Sequence, residues 1–400
     1  MTNLFIKYIL LNMSANPLPL PLTLLLEITT RCNLKCRHCA RTYSKIAPQD
    51  MSSQTFSRLE DIFPLVQTVV LGFDSGESFL HPYFFERFRL LKAKGVMVRI
   101  ISNATLLDSE MAKHLVKEGL DSLVISLEAA TPNFYNDIRE GAALATVVKN
   151  IRRLNRVKKR YPYLNRVLLM LLKLSGLFSL DRVSKGFNRK LINLKVNSLV
   201  NRLAGLPMQL AMLFLPLRFS KKLTNPVLSI NFTCMKQNIH ELPSLVRLAS
   251  HLGVDFIVLS ALTEDNPWSR GRAVAWATLQ TNSYFHAAQK ISAQCGVKLV
   301  IQEENFSLKR YPLTQAHVGL TSLTKRLIKD CPDPWTSTYI RIHGDVHVCC
   351  YSPVEMGNIN QQDFRDIWNS PAYNDFRQKL ASPDPPEECR RCPLRRWIEI

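Results

Sequence analysis

The sequence predicts an α/β fold, a partial (β/α)6 barrel of the TIM type with a small C-terminal domain and a basic helical insertion. Three observations predict it: short apolar runs recur along the chain, segments with helical periodicity separate them, and polar motifs directly follow several runs. Continuous apolar runs are typical of parallel strands buried on both faces, and amphipathic segments are typical of the crossover helices between them. A doubly wound sheet is the alternative, and in either fold the chemistry lies where strands end.

Seven apolar runs predict the strands, and a content of 46% hydrophobic residues in a chain of 400 is sufficient for one large core. The runs are 22–28, 68–73, 96–101, 122–128, 227–233, 256–261 and 298–302. Intervening segments such as "SSQTFSRLEDIF", "DSEMAKHLVKEGL" and "LPSLVRLASHLG" carry apolar residues at helical spacing. The alternation predicts consecutive βα units.

We expect four parts in the chain. They are an N-terminal extension, 1–21; a core barrel, 22–310; an insertion within that barrel, 160–225; and a C-terminal domain, 311–400. The first residues contain one early lysine and no small-residue cleavage site, so we expect no signal peptide and a cytoplasmic protein. Ten cysteines in such a protein are more often metal ligands or reactive thiols than disulfides.

The first strand is followed by the segment "CNLKCRHC", which contains Cys32, Cys36 and Cys39. Thiolates are the usual ligands of iron–sulfur clusters. A 4Fe–4S cluster has four irons and this loop offers three thiols, so one iron would be open to a ligand that is not protein. The segment therefore predicts a cluster with an open coordination site.

Two alternatives compete for the same thiols. A zinc ion could take the three cysteines with His38 as its fourth ligand, although zinc ribbons more usually repeat paired cysteines. Inert buried thiols are the other alternative, but the neighbouring Arg31, Lys35 and Arg37 make the loop electropositive, which favours thiolates.

With three cysteines separated by three and then two residues after the first strand, the chain resembles the radical S-adenosylmethionine (SAM) enzymes. The resemblance implies that the open iron binds the amino and carboxylate groups of SAM. It also implies cleavage of SAM to methionine and a 5′-deoxyadenosyl radical, which abstracts hydrogen from an unactivated carbon. His38 stands where many members carry an aromatic residue, a departure that leaves the three ligands intact.

The segments after the next three strands continue the resemblance: "LGFDSGESFLHP", "ISNATLLD" and "ISLEAATPNFYNDIREGA". The resemblance implies that SAM contacts come from Gly76, Glu77, Asn103, Ser126 and Arg139. A glycine lets the backbone approach a ligand closely, a carboxylate can accept from the SAM amino group, and a guanidinium can pair with the methionine carboxylate.

Each of these assignments has a structural alternative. A loop asparagine such as Asn103 is often a turn former, and Arg139 could be a solvated charge at a helix end. The family's usual "SLDG" is replaced by "SLEA", with Glu128 and Ala129, so we expect no ribose contact there.

The C-terminal region contains five more cysteines: Cys331, Cys349, Cys350, Cys389 and Cys392. Paired cysteines fit zinc equally well. The region nevertheless resembles the C-terminal extension called SPASM, or twitch in its shortened form, which implies one auxiliary 4Fe–4S cluster. Its ligands would be Cys331, Cys389, Cys392 and one of the adjacent pair, for which we favour Cys349 over Cys350.

The net charge of +20 is concentrated in residues 152–222, where 17 lysines and arginines accompany one acid. Apolar stretches of about 15 residues there are shorter than the roughly 20 that a membrane span needs. Basic segments with apolar faces predict a peripheral contact of 160–225 with an anionic membrane, on its inner face for a cytoplasmic protein. A helical cap, a lid and a partner dock are the alternatives, whereas the scarcity of aromatic residues argues against nucleic acid.

The resemblance implies a radical SAM oxidoreductase that takes electrons from a reducing donor and oxidises or cross-links a peptide or small-molecule substrate. The alternative is a non-enzymatic zinc-binding module whose basic segment holds nucleic acid or a protein partner.

Overall fold

The computed structural model describes residues 20–44, 47–73, 76–174, 226–274, 282–301, 331, 333–382, 384–390 and 392. Residues 1–155 with 225–400 form one compact unit, and residues 156–224 form another. The predicted insertion, most of the N-terminal extension and the expected start of the C-terminal domain fall largely outside the described residues.

Ten strands of the first unit form one sheet, in the order β12-β11-β10-β1-β3-β4-β5-β7-β8-β9. They are β1 (Thr23–Leu26), β3 (Thr68–Leu71), β4 (Met97–Ser102), β5 (Ser122–Ser126), β7 (Val227–Cys234), β8 (Phe256–Ala261), β9 (Lys298–Ile301), β10 (Ser337–Ile340), β11 (Asp345–His347) and β12 (Glu355–Asn358). All pairings from β10 to β9 are parallel, and β11 and β12 continue antiparallel beside β10.

Every predicted apolar run overlaps one strand of this sheet. From β1 to β9 the order proceeds in one direction along the chain. A doubly wound sheet reverses its strand order at a switch point. The order therefore agrees with the predicted partial barrel and not with the doubly wound alternative.

Helices connect most of the parallel strands. They are α1 (Ala40–Tyr43), α2 (Ser53–Ser57), α3 (Phe84–Ala93), α4 (Ser109–Lys117), α5 (Pro132–Ile138), α6 (Leu144–Leu174), α7 (Leu242–Leu252), α8 (Ser283–Cys295), α9 (Asp333–Thr336), α10 (Phe364–Trp368), α11 (Pro371–Ala381) and α12 (Glu387–Arg390). Side-chain caps begin several of them; Asp108, for example, accepts from the Met111 amide at the start of α4. Within the described part of the chain, no helix is both long and apolar enough to cross a membrane.

Two features position the functional loops and were not predicted. The strand β10 lies parallel to β1, so the C-terminal region extends the barrel sheet directly. A separate two-stranded pairing joins β2 (Lys35–Cys36) to β6 (Arg139–Glu140). The first feature brings the C-terminal region to the barrel mouth, and the second holds the backbone of the cysteine loop.

Candidate active site

The carboxyl ends of the strands surround a cavity of about 1500 Å³. All eight residues predicted for the first cluster and for SAM line it: Cys32, Cys36, Cys39, Gly76, Glu77, Asn103, Ser126 and Arg139. Parallel strands bring their carboxyl ends to one edge, which explains why loops far apart in sequence meet here. The structure thus brings the predicted residues together, while their individual ligand roles stay predictions.

Gly76 lies against the backbone that leads into the cysteine loop. Its φ is +78°, and a Cβ atom built there would be 2.0 Å from the carbonyl oxygen of Thr29. The next amide, that of Glu77, donates to the Arg31 carbonyl at 2.6 Å. Glycine is therefore required here by the contact with the loop itself, in addition to any approach to a ligand.

The Glu77 carboxylate is 1% exposed and faces three donors. It accepts from the Asn103 amide at 2.8 Å, from the Ser102 hydroxyl at 2.9 Å and from the Phe79 amide at 3.4 Å. Burial raises the pKa of Glu77 to about 7, and the three hydrogen bonds only partly offset it. A cationic ligand beside this carboxylate would stabilise its ionised form, as the predicted contact with the SAM amino group requires.

Asn103 combines its predicted role with the turn-forming alternative. Its side-chain oxygen accepts from the amide of Thr105 at 2.9 Å, which forms a turn. Its nitrogen donates to Asn33 Oδ1 at 3.0 Å and lies 3.9 Å from Cys32 Sγ. Ser126 ends β5 and lines the cavity.

Arg139 is 6% exposed and is paired with Glu128, so it is not a solvated charge at a helix end. Its Nε and Nη2 donate to the two oxygens of Glu128, and its Nη1 lies 3.5 Å from Cys36 Sγ. Although burial alone would raise the pKa of Glu128, the adjacent guanidinium holds it below its ordinary value. The same acid that departs from the family pattern therefore orients the arginine toward Cys36.

Asn266, in the loop after β8, forms a further contact that holds the cysteine loop. Its Nδ2 donates to the His38 carbonyl at 3.1 Å, and its Oδ1 accepts from the amides of Trp268 and Ser269. Sequence reasoning missed this residue, because nothing in the local pattern distinguishes it from an ordinary loop asparagine.

The three thiols fit the predicted cluster. Burial raises the pKa of Cys36 to about 11 and raises that of Cys39 as well, so an ionised thiol at this depth needs a cation such as iron. Among the described residues no three His, Cys, Asp or Glu side chains converge as ligands of a single metal ion do. The three thiols border one cavity together, as the protein ligands of a single cluster would.

The adjacent cysteines of the C-terminal region, Cys349 and Cys350, have different surroundings. Burial raises the pKa of Cys331 and Cys349, and the charges of Asp333 and Cys392 raise both further, as Cys349 does for Cys331. Cys331, Cys349 and Cys392 therefore lie close together. Cys389 lies one turn before Cys392, whose amide is 3.4 Å from the Cys389 carbonyl. Cys350 packs instead against the apolar cluster of Leu25, Val70 and Tyr339 and lines the cavity.

Two family models match the chain. The model described as the radical SAM superfamily matches residues 26–173, and SPASM, an iron–sulfur cluster-binding domain, matches residues 331–393. Together they include all seven cysteines predicted as cluster ligands.

Two curated relatives are similar over most of the chain. A tungsten-containing aldehyde ferredoxin oxidoreductase cofactor-modifying protein of Pyrococcus furiosus is 23% identical over 369 residues, covering 88% of this chain and 82% of the relative. An AdoMet-dependent heme synthase of Methanosarcina barkeri is 22% identical over 371 residues, covering 90% of this chain and 84% of the relative.

Among solved structures, SuiB of Streptococcus suis bound to S-adenosylmethionine has the same fold. The TM-score is 0.62 at 14% identity, and the match covers 98% of this chain and 76% of SuiB. SuiB has also been solved with its precursor peptide SuiA. The matches in both halves exclude the non-enzymatic zinc module and identify an enzyme that uses SAM and iron–sulfur clusters. The chain belongs to the radical SAM superfamily and carries a SPASM iron–sulfur cluster-binding domain.

Proposed function

We propose that this enzyme abstracts a hydrogen atom from an unactivated carbon of a peptide or small-molecule substrate, and that the substrate leaves oxidised or cross-linked. The observation that carries the proposal is one cavity bordered by both cysteine groups: Cys32, Cys36 and Cys39 line it from the first group, and Cys392 from the second. A substrate held there would lie between the centre that starts the reaction and the centre that can remove a second electron.

When bound, SAM and the open-site cluster supply the chemistry, a one-electron cleavage that yields methionine and a hydrogen-abstracting 5′-deoxyadenosyl radical. The chain's own part is binding and orientation. Glu77 offers a buried carboxylate to the SAM amino group, and Ser126 faces the same cavity. Arg139, held by Glu128, orients Cys36 and stays close to the cavity wall.

Apolar side chains on the inner face of the barrel keep water from the reacting carbon. Phe73, Ile101 and Val124 line the cavity beside the polar groups. Exclusion of water protects a reactive intermediate from side reactions. The protein thus contributes an apolar surface beside the residues that would bind SAM.

The substrate class is supported from two directions. The volume of about 1500 Å³ exceeds the roughly 300–1,000 Å³ of an ordinary ligand pocket, so the cavity has room for SAM together with a substrate. The relatives named as cofactor-modifying protein and heme synthase favour a small molecule, and the peptide complex of SuiB favours a peptide.

The test is 5′-deoxyadenosine formation by anaerobic holoenzyme with dithionite as reducing donor. We expect wild type and Cys392→Ala to form it from SAM, because the first cysteine group is intact in both. Cys36→Ala should form none. Cys295→Ala, which changes a cysteine to which no role is assigned, is the control. Loss of 5′-deoxyadenosine formation in Cys295→Ala, or its persistence in Cys36→Ala, would contradict the proposal.

We infer further that the basic segment 160–225 makes a peripheral contact with anionic lipid. The support is its sequence alone, because the segment lies largely outside the described residues. Deletion of residues 166–218 should abolish pelleting with vesicles rich in anionic lipid while iron in the first cluster is retained. Unchanged pelleting of the deletion variant would remove the inference.

A further inference from the structure

Arg341 stands at the catalytic end of the sheet although it belongs to the C-terminal region. It follows β10 directly, and the register pairs Ile340 with Leu26 of β1. Because the two strands are parallel, Arg341 lies level with the start of the segment that leads to the cysteine loop. Its guanidinium carbon is 5.8 Å from the centre of the Tyr339 ring, and the residue lines the cavity.

Arg341 differs from the other described cations of the cavity in that its side chain has no acceptor among the described residues. The others donate to groups of the chain: Arg41 to the Leu34 carbonyl, Arg139 to Glu128 and Lys236 to the Gly271 carbonyl. The buried Nε of Arg341 has no hydrogen-bond acceptor among the described residues. A buried donor without a partner is costly and is usually retained for a reason.

Glu27, level with Arg341 in the strand register, and Asp345, four residues along the chain, both accept hydrogen bonds from other donors. Glu27 accepts from the amide of Ile342 at 3.3 Å, and Asp345 accepts from Asn358 Nδ2 at 2.8 Å. Arg341 meets Asp345 only through the backbone, where its amide donates to the Asp345 carbonyl at 3.0 Å. The guanidinium is therefore available to a group that enters the cavity.

The rest of the cavity indicates which anion would enter. The described lining residues include more acids than bases; the acids are Glu27, Glu77, Glu128, Glu264, Asp265, Asp345 and Glu388. A phosphate group carries close to two negative charges at neutral pH and a carboxylate carries one. An acidic cavity with a single unoccupied guanidinium therefore favours the group with the smaller charge.

We propose that Arg341 binds a carboxylate of the substrate and so orients it over the first cluster. The inference rests on the proposed function, since it assigns a substrate class to the same cavity. A planar guanidinium matches a carboxylate through two parallel hydrogen bonds. The substrate is accordingly a carboxylic acid, either a small molecule or a peptide that presents an acidic side chain or its C-terminus.

The test uses two probes of the same shape and different charge, 2-naphthylacetate and 2-naphthylacetamide. Calorimetric titration into anaerobic holoenzyme saturated with SAM keeps the SAM site filled. We expect wild type to bind the acid about tenfold tighter than the amide, the effect of one charge-assisted hydrogen-bonded pair. Arg341→Gln should lose this preference and bind the amide as wild type does, and Arg341→Lys should keep part of it.

Lys236→Gln is the matched control, because it removes a cavity cation that already has an acceptor, and it should keep the preference. Equal binding of acid and amide by wild type, an unchanged preference in Arg341→Gln, or no measurable binding of the acid would overturn the proposal. Tighter binding of 2-naphthyl phosphate than of the acid, lost in Arg341→Gln, would overturn the choice of carboxylate. Wild type should form 5′-deoxyadenosine from SAM in the absence of substrate. Failure of wild type to form it would count against the proposed function and leave the binding result standing.

Discussion

At the scale of single residues, Gly76 and Glu77 support the cysteine loop through their backbone as much as through chemistry. Gly76 leaves space for the Thr29 carbonyl, and the amide of Glu77 donates to Arg31. The Gly76–Glu77 pair, which the sequence predicts as a contact for SAM, is thus also a packing contact with the cysteine loop. Packing is tested by protein stability, and the SAM contact by the ionisation of Glu77.

Gly76→Ala should destabilise the protein by more than about 3 kcal/mol, because a Cβ would overlap a backbone oxygen in a conformation that already disfavours alanine. Gly95→Ala is the control, since Gly95 has a similar φ of +80° and no atom within 4 Å of the added Cβ. It should cost only about 1 kcal/mol. Anaerobic urea denaturation measures both, and equal losses would show that the contact with Thr29 is unimportant.

The raised pKa of Glu77 predicts a pH dependence. Because its pKa is about 7 in the folded protein and near 4.5 when exposed, its contribution to stability is present below pH 4.5 and is lost as the pH rises through 7. Between pH 5 and 8 the free energy of unfolding without SAM should fall by about 2–3 kcal/mol more in wild type than in Glu77→Gln. Denaturation curves across this range test it, and parallel pH profiles would refute it.

At the scale of elements, three separate contacts hold the cysteine loop. The pairing of β2 with β6 fixes the backbone at Cys36, Arg139 contacts its sulfur, and Asn266 holds the His38 carbonyl. Each contact joins segments more than 100 residues apart. A loop held this way is positioned before any cofactor arrives, which lowers the entropy lost when the cofactor binds.

Asn266→Ala should speed the loss of iron to a chelator by about fivefold, because the His38 carbonyl loses a donor worth on the order of 1 kcal/mol. Asn282→Ala provides the comparison. Asn282 caps α8 by accepting from the Tyr284 and Phe285 amides, so its loss should cost a similar free energy with no effect on iron release. Iron release monitored by absorbance distinguishes the two variants. The same rate in both would argue that the hydrogen bond from Asn266 to the His38 carbonyl does not hold the cysteine loop.

At the scale of the whole molecule, β10 connects the two cysteine groups. By pairing with β1 it places Tyr339 beside Leu25 and Val70, with Cys350 packed on this cluster. Cys349 lies in electrostatic contact with Cys392, and Cys331 with both. Cys349 and Cys350 follow β11 in a bend and a turn, and their side chains have different surroundings, so we expect only one of the pair to bind the auxiliary cluster.

Wild type should contain about eight irons per chain, as two 4Fe–4S clusters require. Cys349→Ala should retain about four, with a first-cluster resonance that still responds to SAM. Cys350→Ala should retain about eight. Iron analysis with electron paramagnetic resonance decides which cysteine is the ligand. Loss of about four irons in Cys350→Ala and none in Cys349→Ala would assign Cys350.

The sequence by itself determined seven of the parallel strands, their βα order and the two cysteine groups, because apolar runs and ligand spacing are properties of neighbouring residues. It also placed Gly76, Glu77, Asn103 and Ser126 at strand ends, and a parallel sheet brings such ends together.

Only the tertiary structure decided which partners these residues have. The pairs Gly76 with Thr29, Glu128 with Arg139 and Asn266 with His38 join segments whose spacing in sequence carries no periodic signal. The tertiary structure alone also decided that β10 lies beside β1. This position gives Cys349 and Cys350 different surroundings and brings Arg341 to the cavity. Such contacts depend on how loops of different lengths meet at one end of the sheet, and that geometry exists only once the sheet has formed.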